Sequence, residues 1–413
     1  NKGVGRMILD IIDKKRLGKE LTKDELATIF NGYLKDEVPD YQMSAFLMAV
    51  CIQGMSDQEV FDSVDIFIKS GEEIDLSFMN LPVADKHSTG GVGDKTTLIV
   101  GPIVASCGVG VIKASGRGLG YTGGTIDKLL SIPSMQVDLS FDAIKQQAKD
   151  IALVVTSQTA NLTPLDKKVY ALRDVSDTVS SVALIAISIM SKKIASGSSH
   201  ILIDVKQGEG ALLQDKKQVL QLCDLLKKIG NHYGKDVQCI ISSMDAPLGF
   251  AVGNKVEVLE AISVLKNEEK GPLLEECLLL ASTMIHQAKN ISLEEAKEMA
   301  SNAVTSMKAY QKFLEFVSYQ HGEVDKLALQ ASAYYLRSQK KGTIHQIHAL
   351  EIAKLALQLG AARVKKDDEI DYDAGVVLQK QVGDKVEKDE VLAILYTNRP
   401  IFAIDVLKIF EID

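Results

Sequence analysis

The chain has 413 residues, 46% of them hydrophobic and 25% charged, which is ordinary for a soluble globular protein of two or three domains. Its 47 Lys and Arg against 55 Asp and Glu leave a formal net charge of −8, which argues against non-specific nucleic-acid binding, because that rests on clustered cations facing phosphates. Five cysteines, Cys51, Cys107, Cys223, Cys239 and Cys277, are odd in number, widely spaced and free of any C-x-x-C pattern, so they read as reduced core thiols of a cytoplasmic protein rather than a zinc site.

In chain order, residues 1–71 carry mainly helix signals. Asn1 to Arg6 lead into an amphipathic segment rather than an apolar signal core, and no apolar run reaches 18 residues, so neither secretion nor membrane insertion is expected. Thr22 with Glu25 and Ser56 with Glu59 have capping-box spacing, in which hydroxyl and carboxylate each satisfy the other residue's amide. Leu26, Ile29 and Phe30 follow the first box at helical spacing, Asp40 precedes the run Met43 to Ile52, and Gly54 and Gly71 end helices.

From Leu81 the pattern changes to short apolar runs alternating with glycine loops and helices, the signature of a parallel sheet with crossover helices. Strands are expected at 83–85, 109–112, 151–155, 201–205 and 237–241. The alternation breaks between Asn161 and Ser196, where Thr163 and Pro164 open one helix and Val182 to Ile194 form another. The fold expected is therefore α/β: a helical domain of discontinuous segments, 1–71 with 161–196, and a larger mixed domain, 81–160 with 197–413, whose sheet is mainly parallel. Helical patterns dominate after the turn Lys206-Gln-Gly-Glu-Gly210, including 255–265 and 329–336. The tail from Ile370 alternates apolar and polar residues around Val382-Gly-Asp-Lys-Val386, so 340–413 is expected to be a β-rich terminal subdomain.

The stretch from Ser115 to Lys128 contains five glycines in fourteen residues and lies between an expected strand and an expected helix. Free amides and a helix N-terminus at one place favour an oxyanion. Thr89-Gly-Gly-Val-Gly-Asp94-Lys95 repeats the spacing of Thr122-Gly-Gly-Thr-Ile-Asp127-Lys128, so two loops are positioned to grip one anion. Lys86-His87-Ser88 and Thr97 flank the first loop with a cation, hydroxyls and an imidazole. On the inserted helices Tyr170 and Arg173 are three apart and Ser188 and Lys192 four apart, so each pair shares a face. Read from the residues alone, these are either a polar clamp for a carbonyl-bearing ring or a snorkelling lysine and a solvated arginine. His345 and His348 lack a third metal ligand, and Gly208-x-Gly210 lacks the rest of a dinucleotide fingerprint.

Asp85-Lys-His-Ser-Thr-Gly-Gly-Val-Gly-Asp94, the Ser115 to Lys128 loop, Tyr170-Ala-Leu-Arg-Asp174, Asp204-Val-Lys206, Pro247-Leu-Gly-Phe-Ala-Val-Gly-Asn254 and Val382-Gly-Asp-Lys-Val386 together resemble the pyrimidine nucleoside and thymidine phosphorylases over almost the whole chain. The resemblance implies a cytoplasmic homodimer with a cleft that closes between its two domains. It implies reversible phosphorolysis of uridine, thymidine and deoxyuridine to base and pentose 1-phosphate in pyrimidine salvage, with inorganic phosphate as co-substrate and no organic cofactor, membrane or nucleic acid. Lys86, Ser88, Thr97, Lys113, Ser115 and Thr125 would bind phosphate. Tyr170, Arg173, Ser188 and Lys192 would hold the pyrimidine, with His87, Arg173 and Lys192 stabilising charge on the departing base.

Two positions, Leu130 and Lys95, depart from the family pattern, and Lys113 bears on specificity. Leu130 replaces the glutamate usual in the second loop's signature. Lys113 resembles broad-specificity members rather than thymidine-restricted ones. Lys95 stands where broad-specificity members often carry a threonine that helps hold potassium, at a site formed with Gly93, Leu248, Ala251 and Glu260, so the lysine ammonium is a candidate substitute for the ion. The tail resembles a biotinyl or lipoyl carrier hairpin in outline but has no acceptor lysine motif, so an unmodified structural module is expected. Two rivals are a phosphoribosyltransferase of the anthranilate type, whose acidic magnesium motif is not apparent, and a silent nucleoside-binding protein, against which His87 beside the anion loop weighs.

Overall fold

The structure is a computed structural model that describes residues 2–118, 121, 123–158, 161–363 and 368–413, with side chains from residue 7 onward. Leu119, Gly120 and Thr122 of the second glycine loop lie outside the described residues. The chain runs through α1 (Lys2–Arg16), α2 (Lys23–Leu34), α3 (Asp40–Gln53), α4 (Asp57–Lys69), β1 (Val83–Ser88), α5 (Thr96–Ser106), β2 (Gly110–Ser115), α6 (Thr125–Leu130), α7 (Phe141–Ile151) and β3 (Leu153–Ser157). It continues with α8 (Pro164–Asp174), α9 (Val182–Ala195), β4 (His200–Gln207), α10 (Lys216–His232), β5 (Asp236–Ser243), β6 (Ala251–Gly253), α11 (Lys255–Leu265), α12 (Pro272–Lys289), α13 (Leu293–Thr305) and α14 (Lys308–Tyr319). Last come β7 (Ser332–Arg337), β8 (Gly342–Ile347), α15 (Ala349–Leu359), β9 (Gly375–Leu378), β10 (Lys385–Val386), β11 (Val391–Thr397), α16 (Val406–Ile409) and β12 (Phe410–Ile412).

One compact unit comprises 1–78, 159–201 and 215–239. Both capping boxes form: Thr22 Oγ1 accepts from the Glu25 amide at 3.3 Å and Ser56 Oγ from that of Glu59 at 3.2 Å, while each glutamate takes the cap residue's own amide. Glu59 has a second task, because its buried carboxylate also receives Lys15 Nζ at 2.8 Å and the Leu21 amide at 2.9 Å, which ties the turn after α1 to α4. Phe30 meets Phe46 and Phe67 edge-on, with centroids 5.6 and 5.0 Å apart, at the centre of this helical core. The segment carrying α8 returns where Gly71 leaves no room for a Cβ: one there would lie 2.1 Å from the Asn161 carbonyl, and the Glu72 amide donates to that oxygen. α10 belongs to the same unit, with the His232 ring stacked on Phe61 at 4.5 Å and Lys228 paired to Asp57.

The other unit comprises 79–158, 202–214 and 240–413, the boundaries falling inside β4 and β5. The five expected strands form one sheet in the order β3-β2-β1-β4-β5, with β2 parallel to both its neighbours. The fold is thus the mixed α/β arrangement expected. α5 is buried from Thr96 to Ala105 and packs on α11, α12, α13 and α14, which makes it the axis of the apolar core.

The helix expected at 329–336 is not present. Residues 332–337 are β7, paired antiparallel with β11, whose other neighbour is β9; β6 completes this four-stranded sheet. In β7 only Leu336 is buried, so no alternation marked the strand against the helical reading, and the ladder to β11 decides its conformation. A three-stranded sheet, β10-β8-β12, closes the terminal region. Leu130 packs against the core, an apolar use of a position where the family resemblance implied a carboxylate.

Candidate active site

The first glycine loop begins where β1 ends. Lys86, with only 2% of its surface exposed, points its ammonium at the Thr96 hydroxyl (2.5 Å) at the start of α5. That hydroxyl in turn donates to Asp94 Oδ1 at 2.6 Å, so loop and helix are joined through three side chains. Burial alone would raise the Asp94 pKa, but the ammonium groups of Lys86 and Lys206 and the hydroxyls of Ser88 and Thr96 outweigh it and hold the carboxyl well below its usual range. Lys206 sits in a cage of anions: Asp204 Oδ2 at 2.8 Å and the Glu276 carboxylate. Burial opposes its charge, yet Asp94, Asp204 and Glu276 raise its pKa. The Thr89 hydroxyl takes the Lys206 amide at 2.9 Å and the Thr89 amide reaches the Asp204 carbonyl, which fixes the first loop against β4. Thr97 is buried one position further along α5.

The second loop follows β2. Lys113 is buried there, its ammonium donating to the Lys86 carbonyl at 2.5 Å, and the Ser115 carbonyl accepts from the Gln158 amide at 2.9 Å. Thr125 opens α6. The loop is folded around Asp127, which is fully buried: Oδ2 accepts the amides of Gly118 (2.6 Å) and Gly124 (3.1 Å), and Oδ1 accepts Arg363 Nη1 at 3.0 Å. Gly124 must be glycine, since a Cβ would lie within 2.6 Å of the Gly116 carbonyl and 2.5 Å of the Gly118 amide. Lys86, Ser88, Thr97, Lys113, Ser115, Thr125 and half-buried His87 thus all belong to one unit, on adjacent parallel strands β1 and β2 and the helices that follow them.

Tyr170, Arg173, Ser188 and Lys192 belong to the helical unit and are brought together there by α8 and α9. Lys192 Nζ lies 3.1 Å from Ser188 Oγ, 3.0 Å from Asp166 Oδ2 and 5.7 Å from the centroid of the Tyr170 ring. Arg173, 2% exposed, spends its donors on the carbonyls of Thr178 (3.1 Å), Val179 (2.7 Å) and Leu184 (3.2 Å), and its guanidinium lies 5.6 Å from the Tyr170 ring. It is not the solvated arginine of the alternative reading; it braces the connection between α8 and α9. Asp166 was not singled out in the sequence. Its signal is positional: Asp166, Tyr170 and Arg173 fall at i, i+4 and i+7 on one helix face.

The potassium site implied by resemblance is filled by Lys95 itself. Its ammonium lies 2.7 Å from the Leu248 carbonyl, 2.9 Å from that of Ala251 and 2.6 Å from Glu260 Oε2, with Gly93 turning at φ 75° next to the same loop. A metal ion does not fit among these oxygens while that ammonium holds them.

Residues 80–310 match the profile of the glycosyl transferase family α/β domain and residues 9–71 that of its helical bundle domain, so the class is that of the glycosyltransferases built on this domain pair. Anthranilate phosphoribosyltransferase of Thermus thermophilus shares the fold at a TM-score of 0.61 and 17% identity, over 76% of this chain and 100% of that one. Residues 343–410 match the pyrimidine nucleoside phosphorylase C-terminal domain. The pyrimidine-nucleoside phosphorylases of Geobacillus stearothermophilus and Bacillus subtilis are each 46% identical over 399 residues, covering 95% of this chain and 92% of theirs, and one from Staphylococcus epidermidis is 47% identical over 398. The chain belongs to the pyrimidine-nucleoside phosphorylase family.

Proposed function

We propose that the protein catalyses the reversible phosphorolysis of pyrimidine nucleosides: uridine, thymidine and deoxyuridine. The observation that carries this reading is the match along all three modules, because the C-terminal module distinguishes the family from phosphoribosyltransferases that share only the fold. A phosphate oxygen attacks C1′ as the bond from C1′ to the base nitrogen breaks. The base leaves with the electron pair and takes up, directly or through solvent, the proton that the attacking hydrogen phosphate gives up, and the phosphate remains on the pentose as the 1-phosphate. Charge on C1′ develops as in glycoside cleavage, with bound phosphate serving as nucleophile, so no protein nucleophile and no organic cofactor enter the reaction.

In this reading Lys86, Ser88, Thr97, Lys113, Ser115 and Thr125 bind the phosphate. Asp94 and Lys206 keep the first loop in register, which supports the assignment of Lys86 as the phosphate's principal cation. Tyr170 and Ser188 position the pyrimidine, and His87, Arg173 and Lys192 stabilise the negative charge that develops on it, a contribution of the oxyanion-hole kind. Because Arg173 already braces the carbonyls of Thr178, Val179 and Leu184, its part is to bring fixed positive charge and to hold Tyr170. A homodimer formed through the helical unit is part of the proposal, supported by Leu9, Tyr41 and Ile52, which expose 56, 75 and 73% of their surface on α1 and α3. Among the described residues no helix is long and apolar enough to cross a membrane.

The test follows the ultraviolet change when the protein is mixed with uridine or thymidine, with and without inorganic phosphate. Release of base that depends on phosphate is expected; release without phosphate indicates a hydrolase, and no release under either condition rejects the proposal. Sedimentation at micromolar concentration tests the dimer.

A further inference from the structure

Lys95 is the N-cap residue of α5 and makes no capping contact with its side chain. A cation at a helix N-terminus meets the positive end of the dipole, and a buried ammonium must have all its protons placed, so this position opposes a lysine twice unless something specific receives it. The receiver is a complete oxygen cage. The ammonium has three N–H groups and meets three acceptors: the Leu248 and Ala251 carbonyls and Glu260 Oε2. The residue is 1% exposed and its side chain 0%. The cage is built to close on a cation. Gly249 turns at φ 71°, and a Cβ there would lie 2.9 Å from Lys95 Nζ and 2.4 Å from Glu260 Oε1. Glu260 also accepts the amides of Phe250 at 2.6 Å and Ala251 at 2.8 Å, so one carboxylate wraps the 248–251 loop around the ammonium. The Leu248 amide donates to the Val92 carbonyl at 3.0 Å, joining that loop to the first glycine loop two residues before Asp94.

We propose that Lys95 is a tethered monovalent cation: its ammonium does permanently what a bound ion does only by mass action, so loop order and phosphate binding in this protein are independent of potassium, and removing the side chain uncovers a site for potassium or ammonium ions. The cage consists of two neutral carbonyls and one carboxylate, the donor set of a weakly charged cation site. The ammonium also acts on the nearby carboxyls of Glu257 and Glu269, whose pKa values burial raises and the charge of Lys95 lowers. Covalent attachment removes the dependence on ion concentration, because the ligand is part of the folded chain. The link to function runs through the backbone: Asp94, Lys95, Thr96 and Thr97 are consecutive, so displacement of Lys95 disturbs both the Lys86-Thr96-Asp94 chain and Thr97.

The thermal arm of the test does not depend on the proposed reaction; the kinetic arm rests on it. For the native protein, melting temperature and phosphate KM should be unchanged when potassium is exchanged for tetramethylammonium at constant ionic strength. Lys95→Ala should lose roughly 5–10 °C in tetramethylammonium, since breaking a buried pair leaves an uncompensated carboxylate. Potassium or ammonium chloride should restore the loss in a saturable way, whereas tetramethylammonium chloride at equal strength should not, and phosphate KM should follow the same titration. A potassium-dependent rise in the native melting temperature overturns the proposal, as does a Lys95→Ala protein that responds equally to all three salts. Should Lys95→Ala fail to fold in every salt, a cation-accepting cage is refuted and the native arm still reports independently. A protein without phosphorolytic activity but with the expected thermal pattern would reject the reaction and retain the tethered cation.

Discussion

Replacing Asp127 isolates the second glycine loop from the rest of the anion site. Its carboxylate accepts two loop amides on one oxygen and Arg363 on the other, at 2.6, 3.1 and 3.0 Å, with no solvent access. In Asp127→Asn the carboxamide oxygen would still accept from Gly118 and Gly124, but its NH₂ would then face the Arg363 guanidinium, donor against donor. Each hydrogen bond to a charged group is worth about 1.5–3 kcal/mol, so Asp127→Asn should cost about 2–3 kcal/mol. Asp127→Ala also abandons both buried amides and should cost about 4–5 kcal/mol, the range for breaking a buried charge pair. Both should raise phosphate KM more than nucleoside KM if the loop binds phosphate as proposed, because the amides released belong to that loop. Denaturant unfolding reads the first effect, and initial rates with each substrate varied in turn read the second. Native stability in the Asp127→Asn protein would show that Arg363 contributes nothing to the loop, and equal changes in both KM values would refute the assignment of this loop to phosphate.

Arg173→Lys should cost about 1–3 kcal/mol, since one ammonium does not reach the Thr178, Val179 and Leu184 carbonyls in the guanidinium's fork; nucleoside KM should rise with phosphate KM unchanged, and equal shifts in the two count against the assignment. Asp166→Asn releases the ammonium of Lys192 from its 3.0 Å partner, so kcat should fall at saturating phosphate, as measured by stopped-time assays of base release; an unchanged kcat would remove Lys192 from the charge-stabilising set. His348 lies 2.8 Å from Glu209 and 3.0 Å from Glu411, with Gln346 also near; Glu209 first, against the opposing effect of burial, raises its pKa above the usual 6.5. A base raised on folding contributes stability that is fully present below its unfolded pKa and lost as pH rises through the folded one. The melting temperature of the native protein relative to His348→Gln should therefore be highest below about pH 6.5 and decline above it, by about 1 kcal/mol at most for so exposed a pair. Parallel pH curves would exclude a contribution of the His348 pairs with Glu209 and Glu411 to stability.

What the sequence made legible is what local physics specifies. Capping boxes at Thr22 and Ser56 need only residues three apart, and both formed as spaced. Strands β2, β3 and β4 announced themselves because a strand buried on both faces reads as a run of mainly apolar residues, and the glycine loops because the turns that follow such strands need positive φ or close backbone approach. The strand β7 stayed hidden for the opposite reason: with one buried residue in six it has no alternation to set against a helical reading, and its conformation comes from β11, some sixty residues later. The same divide runs through the site. Lys86 and Ser115 could be nominated from their place near the ends of strands and Thr97 from the start of the helix that follows, but the distant partners of the charged groups around them could not, since Asp127 pairs with Arg363, 236 residues away, and Lys206 with Glu276, 70 away. Asp127 and Asp94 occupy the same place in the two echoing motifs, and both turn out to be acceptors that shape their own loop, one from glycine amides and one from the Thr96 amide and hydroxyl. The repeat therefore encodes a way of folding a glycine loop around an aspartate, whatever the proposed anion adds. The lysine that follows each aspartate meets a carboxylate of α11, but differently: Lys128 divides its ammonium between the Gly123 carbonyl of its own loop at 2.8 Å and Glu257 at 3.6 Å, whereas Lys95 leaves its loop altogether to fill the cage at Glu260.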